Sequence, residues 1–246
     1  MSPKLDEVKS LFESPQPYLD RRRYNINIRA DTVQYFLRHR TFTSILDVGC
    51  GDGSVSIPLL APQRSLTLLD LSSQMLSIAQ SQVPSGLSRN VQAINQDFLA
   101  ADLAPHSFDV IICLGFLAHV DSPKAVIAKI AQVLHPNGVV IMQSTDSSGF
   151  PSRVGIFYRR TLEAFGRMNY RYTLTTSAQV IEMFADCGLR LSNIYKYSLP
   201  GLPGIDRIFS QRALYKSVRL AYGSPENNYN TWPGKECIYL FESARI

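Results

Sequence analysis

The chain has 246 residues, 45% of them hydrophobic and 18% charged, with a formal net charge of +5. This is the composition of a globular protein with one core of ordinary size, and it excludes a disordered tail or a fibrous array. The positive excess is small and scattered, clustering only at Arg21, Arg22, Arg23 and at Arg159, Arg160, so it reads as solvated charge and not as a nucleic-acid stripe.

Residues 1–40 read as helical: Val8, Leu11 and Phe12 share one face, and Ile26, Ile28, Val33, Phe36 and Leu37 recur at mostly three-to-four spacing. Strand and helix patterns then alternate. A short apolar strand at 44–48 contains Asp47, and a helix is expected over 54–60. A second strand at 65–69 is closed by Asp70, and a helix follows at 73–82, with Ser72 or Ser73 as its cap. A third strand covers 90–95 and a fourth 108–114. A helix at 122–134 leads to a fifth strand at 138–144, with Asn137-Gly138 as the turn between them. Continuous apolar strands alternating with helices imply a mostly parallel sheet covered on both faces.

The alternation breaks over 146–175, a stretch rich in aromatic residues (Phe150, Phe157, Tyr158, Phe165, Tyr170, Tyr172) and arginine. It resumes with a helix at 176–187 stopped by Gly188, and a sixth strand at 189–197. The proline-glycine run at 199–204 then precedes a basic amphipathic helix at 205–221, and the last strand lies at 236–243. Interruptions of this length usually serve as lids or binding caps. Cys50, Cys113, Cys187 and Cys237 lie far apart with no C-x-x-C pair, as expected of reduced thiols in a cytoplasmic protein. The leading MSPKLDEVKSLFES has no signal-peptide core, and no apolar run reaches the roughly 20 residues of a membrane span. No His/Cys/Asp cluster has metal-ligand spacing.

Chemistry concentrates in SILDVGCGDGSVSIPLL, where Gly49, Gly51 and Gly53 sit between a strand and an expected helix. Glycines there let the backbone turn sharply and approach a ligand closely. A dinucleotide fingerprint would need glycine or alanine at position 54, which is Ser54, so a nicotinamide oxidoreductase is disfavoured. D-V-G-C-G-D-G resembles the first motif of class I S-adenosylmethionine-dependent methyltransferases, in the small-molecule branch that includes UbiE-like and sugar O-methyltransferase-like enzymes. The resemblance is specific over residues 43–145. It implies a Rossmann-like, doubly wound α/β fold with a seven-stranded sheet, mostly parallel with the last strand antiparallel, plus helical cap insertions. The cofactor it implies is S-adenosyl-L-methionine.

The same resemblance assigns roles. Asp47 with Gly49 and Gly51 would hold the methionine part of the cofactor. Asp70, 19 residues past Gly51, would grip the ribose hydroxyls, with Leu71 beside it and Met75 packed on the adenine. Asp97 would receive the adenine amino group, and Phe98 and Leu114 would line the pocket. Tyr18, Tyr24 and Arg29 are candidates for the cofactor's carboxylate, and the strength of a charge-assisted contact favours Arg29.

His119 and Asp146 follow the fourth and fifth strands and so project toward the reaction centre of an open sheet. By analogy His119 is a general base oriented by Asp146, with a helix-packing role for His119 as the open alternative. The expectation is therefore a small-molecule methyltransferase, favouring an oxygen acceptor in specialised-metabolite biosynthesis. The open alternatives are N- or C-methylation by proximity, including of a lipid or quinone, and a non-catalytic binding protein. No nucleic-acid partner and no membrane contact are expected, and the assembly is a monomer or homodimer. The chain reads as one domain: N-terminal helices at 1–40, a cofactor-binding core at 43–145, and caps at 146–175 and 198–235.

Overall fold

The computed structural model describes residues 16–149, 172–199, 208–229, 231 and 233–244. Helix α1 (Gln16–Leu37) precedes strand β1 (Ser44–Val48). Strand β2 (Ser65–Leu69), helix α2 (Ser73–Gln82), strand β3 (Val91–Ile94) and strand β4 (Phe108–Leu114) follow. Helix α3 (Pro123–Val133), strand β5 (Leu134–Thr145) and helix α4 (Ser177–Ala185) come next. Strand β6 (Leu189–Tyr197), helix α5 (Gln211–Tyr222) and strand β7 (Glu236–Ser243) follow among the described residues. The seven strands form one sheet in the order β3-β2-β1-β4-β5-β7-β6. Strands β1 to β5 pair in parallel, and β7 inserts antiparallel between β5 and β6. This is the doubly wound seven-stranded sheet expected from the sequence.

The inner strands are apolar on both faces because each face carries helices. Ile45, Leu66, Leu68, Ile112, Ile141 and Leu240 turn to the side covered by α1, α2 and α5. Their chain neighbours, among them Leu46, Ile111, Val140, Met142, Tyr239 and Phe241, turn to the side covered by α3 and α4. Phe184 of α4 stacks on Phe241, with ring centroids 3.9 Å apart. Alternation of side-chain direction along a strand thus fills two cores at once.

Helix starts follow their caps. Ser72, Ser122 and Ser210 each accept the backbone N–H three residues on, opening α2, α3 and α5. At α4 the Thr176 hydroxyl accepts the Gln179 N–H while the Gln179 side chain accepts the Thr176 N–H, a reciprocal capping box. Thr176→Ala should cost about 1 kcal/mol in denaturant unfolding, and an unchanged midpoint would show that α4 does not depend on this cap.

Two local expectations are corrected. The stretch expected as a helix over 54–60 forms turns and a single 3-10 turn at Ile57–Leu59. Pro58 and Pro62 remove backbone donors that a longer helix needs. Asn137-Gly138 lies inside β5, not in a turn before it: the strand starts at Leu134, directly after α3, with an irregular register opposite Phe108 and Val110. In the second interruption, α5 packs on α1. Arg219 pairs with Asp31 at 2.8 Å, and the Gln211 side chain accepts the Tyr24 N–H at 3.0 Å. Among the expected aromatic wall, Tyr172 is described and Phe150, Phe157, Tyr158, Phe165 and Tyr170 lie outside the described residues, as does Arg207. No described helix is long and apolar enough to cross a membrane.

Candidate functional site

The sheet order reverses between β1 and β4, and ligands of open α/β sheets bind outside the carboxyl ends of the strands at that switch. A cavity of about 390 Å3 opens there, within the roughly 300–1,000 Å3 range of small-molecule sites. Its walls include Asp47, Gly49, Gly51, Asp70, Leu71, Met75, Phe98 and Leu114, together with Arg29 from α1 and His119 from the turn after β4.

The loop at 49–53 is shaped by three positive φ angles: 68° at Gly49, 55° at Gly51 and 71° at Gly53. Side chains rarely adopt this region. Packing excludes a Cβ at two of the three. One at Gly49 would come within 2.8 Å of the Phe116 ring, and one at Gly53 within 2.4 Å of Ile57. At Gly51 the corresponding position has nothing within 4 Å. Gly51 therefore presents bare backbone to open cavity, as a cradle for a closely bound ligand would. Helix α1 clamps the loop from outside, where Arg23 donates to Ser54 at 2.9 Å and pairs with Asp52 at 3.4 Å.

Three carboxylates surround this cradle. Asp70 accepts the Gly51 N–H on Oδ2 at 2.9 Å and the Ser72 N–H on Oδ1 at 2.9 Å. It thereby ties the end of β2 to the loop, with lone pairs left on both oxygens. Burial raises the Asp70 pKa, opposed by those backbone donors. Asp47 is 4% exposed, and its Oδ2 is buried without a hydrogen-bond partner. Burial, with added repulsion from Asp70 and Asp52, pushes its pKa up to about 7. A Ser56 hydrogen bond only partly opposes this rise, and an acid with an unsatisfied oxygen at a cavity wall is poised for a cationic ligand.

The Arg29 guanidinium also lines the cavity and lies against Gly115, where an added Cβ would stand 2.8 Å from Nη2. Behind Arg29 stands a buried polar cluster. The Gln143 amide donates to the Tyr197 hydroxyl and to Glu236, each at 3.2 Å, and Tyr197 donates to Asn25 at 2.8 Å. The Thr145 hydroxyl donates to Glu236 at 3.1 Å. These residues escaped the sequence reading because four separate elements bring them together.

The remaining sequence candidates are placed unevenly. Met75 and Phe98 are buried walls of the cavity, 2% and 1% exposed. Asp97 is not among the lining residues, whereas its neighbours Gln96 and Phe98 are. The Asp97 carbonyl accepts the Ala100 and Ala101 N–H groups, and its carboxylate acts on Lys129 of α3. Tyr24 is buried away from the cavity, and the Tyr18 side chain lies outside the described residues.

His119 closes the short 3-10 turn Leu117–His119 and lines the cavity with Phe116 and Val120, its ring 5.4 Å from that of Tyr172. Asp146 is not a lining residue. Its Oδ1 accepts the N–H and hydroxyl of Ser148, at 2.9 and 2.6 Å, and the Ser177 N–H at 3.3 Å. Although burial opposes it, these donors hold the Asp146 pKa below the ordinary carboxylate range.

Known proteins resemble this chain in part of its sequence and in its fold. Residues 45–138 match the profile of the methyltransferase domain. A ubiquinone biosynthesis O-methyltransferase of Idiomarina loihiensis is 38% identical over 101 residues, covering 41% of each chain. The chain spans between 41% and 64% of the length of the first curated relatives it matches. Among solved structures, magnesium protoporphyrin IX methyltransferase of Synechocystis PCC 6803, with bound SAH, has a TM-score of 0.66 at 15% identity, covering 98% of this chain and 100% of that one. The [4+2]-cyclase SpnF also has a TM-score of 0.66 at 15% identity, over 98% and 97%.

Proposed function

We propose that this chain, whose residues 45–138 belong to the methyltransferase domain family, is an enzyme that transfers the methyl group of S-adenosylmethionine to a small molecule, with a hydroxyl oxygen as the acceptor atom. The fold alone carries no such conclusion, since the same architecture also serves a cyclase. What carries it is the convergence of Gly51's open cradle, the acids Asp47 and Asp70, and the cation Arg29 on one cavity at the sheet's switch point. SAH, the demethylated cofactor, is held by a structural neighbour of the same fold.

When bound, the cofactor supplies an electrophilic methyl group on a sulfonium, displaced in line by the acceptor. The chain's own residues supply placement and charge. Asp70 offers its remaining lone pairs to the ribose hydroxyls, Asp47 faces the positive charge, and Met75 and Phe98 provide apolar surface for the adenine. Arg29 receives the carboxylate. An oxygen acceptor is favoured because His119, on the cavity wall, can take the proton a hydroxyl must lose. Asp146 supports that role as a carboxylate kept ionised by its hydrogen bonds. The curated relatives methylate oxygen in ubiquinone biosynthesis, which favours a phenolic acceptor over other specialised metabolites.

The direct test is incubation with S-adenosylmethionine carrying a labelled methyl group and a panel of hydroxylated aromatic compounds. Label is expected as a methyl ether; label on nitrogen or carbon would overturn the choice of acceptor atom. Asp70→Ala is expected to weaken cofactor binding by about 1–3 kcal/mol, the scale of lost charged hydrogen bonds. An unaltered calorimetric affinity would remove Asp70 from the site.

A further inference from the structure

Glu236 opens β7 with its side chain in the interior, 8% exposed. A carboxylate so placed is costly unless its charge is matched and its lone pairs are used. The lone pairs are used: Gln143 and Thr145 of β5 donate to it at 3.1–3.2 Å. Burial raises the Glu236 pKa, and the largest counterweight is the charge of Arg29, with a smaller contribution from Lys235. Tyr197 of β6 is fully buried, donates to Asn25 of α1, and is hydrogen-bonded by Arg29. Three strands and a helix thus meet around one guanidinium, whose far side faces the cavity against Gly115.

The placement has a chemical consequence. Asp47 and Asp70 make their part of the cavity repulsive to an anion, while Arg29, against Gly115, is the cation held beside it. Arginine side chains have substantial rotamer entropy to lose, so one held in advance binds a carboxylate better than one free to swing.

We infer that Glu236, together with Tyr197, is a positioning residue that fixes the Arg29 guanidinium for the carboxylate of bound S-adenosylmethionine. This rests on the cofactor reading above. It adds a determinant at 236, nearly a hundred residues beyond the matched methyltransferase segment, and it assigns β7 and β6 a part in cofactor selection.

Two probes separate this role from a purely structural one: S-adenosylhomocysteine, which has the carboxylate, and 5′-methylthioadenosine, which keeps the adenosine and thioether but lacks the amino-acid end. Each is titrated calorimetrically into the full chain and into Glu236→Gln, Tyr197→Phe and Arg29→Met. Glu236→Gln is expected to lose about tenfold in affinity for S-adenosylhomocysteine and less than twofold for methylthioadenosine. Tyr197→Phe should show the same selectivity with a smaller loss. Adding Glu236→Gln to Arg29→Met should cost nothing further, because the two act in series.

Unchanged methylthioadenosine affinity certifies that the variants are folded. Equal losses for both probes, or no loss for either, would overturn the positioning role while leaving the cofactor reading intact. If the wild-type chain binds neither probe, the cofactor reading fails, and this inference falls with it.

Discussion

His119→Ala is expected to lower kcat by about 10²- to 10⁴-fold and to leave the affinity for S-adenosylmethionine unchanged. The expectation follows from a division of labour in the cavity. The groups assigned to the cofactor come from β1 and the loop after it, the end of β2, α2, the segment after β3, and α1, whereas His119 reaches the wall from the turn after β4. That turn is braced from outside: the Thr173 N–H donates to the Ala118 carbonyl at 2.9 Å and the Thr173 hydroxyl to the Val120 carbonyl, keeping Tyr172 against the imidazole. An imidazole held at the mouth of the site can accept the acceptor's proton during transfer. Near-normal turnover in His119→Ala would mean that transfer proceeds by proximity alone. Asp146→Asn should be much milder, since its carboxylate already serves Ser148 and the start of α4.

The affinity for S-adenosylmethionine should rise as the pH is raised from about 5 to 7, and Asp47→Asn should abolish that rise. Without ligand, Asp47 ionises near pH 7 because it is buried beside two other acids. A sulfonium and an ammonium next to it favour its ionised form, so binding below pH 7 releases a proton and tightens by up to about tenfold per pH unit. Above pH 7 the dependence on Asp47 should flatten, with Asp47→Asn weaker than wild type by about 1.5–3 kcal/mol, as for a lost charged partner.

Stability carries the opposite signature. The folded-state pKa is raised, so the contribution of Asp47 to stability is fully present below pH 4 and is lost as the pH rises through 7. Ionisation near 7 instead of the ordinary 3.8 corresponds to about 4 kcal/mol at alkaline pH. In the absence of cofactor, Asp47→Asn should therefore gain stability over wild type progressively from about pH 4 to 7, and level off above, in denaturant unfolding. A difference independent of pH would show that Asp47 titrates as an ordinary surface acid.

What could be read from the sequence, and what could not, divides along physical lines. Strands β2, β4 and β7 fall where their apolar runs and flanking turn residues put them, because a strand buried on both faces writes its limits into hydrophobicity. The stretch after the glycine loop misleads for the same reason: SVSIPLL has a helix's apolar content, but Pro58 allows only a 3-10 turn. The glycines and Asp70 were legible because their chemistry is local, a backbone turn and one carboxylate tying it down. The setting of Arg29 was not. Its partners at 197 and 236, and the Gln143 amide that joins them, lie more than a hundred residues away and come together because β7 inserts between β5 and β6. The inward turn of Arg219 toward Asp31 was hidden likewise, since the charge pattern of α5 equally fits a surface-lying helix.

The central claim is that the cavity at the β1–β4 switch point holds S-adenosylmethionine. Calorimetric titration of the full chain with S-adenosylmethionine, with NADH as the competing cofactor, tests it most directly. Saturable one-to-one binding of S-adenosylmethionine, and none of NADH, is the predicted result. No heat of binding with S-adenosylmethionine in the high micromolar range, or preferential binding of NADH, would contradict it.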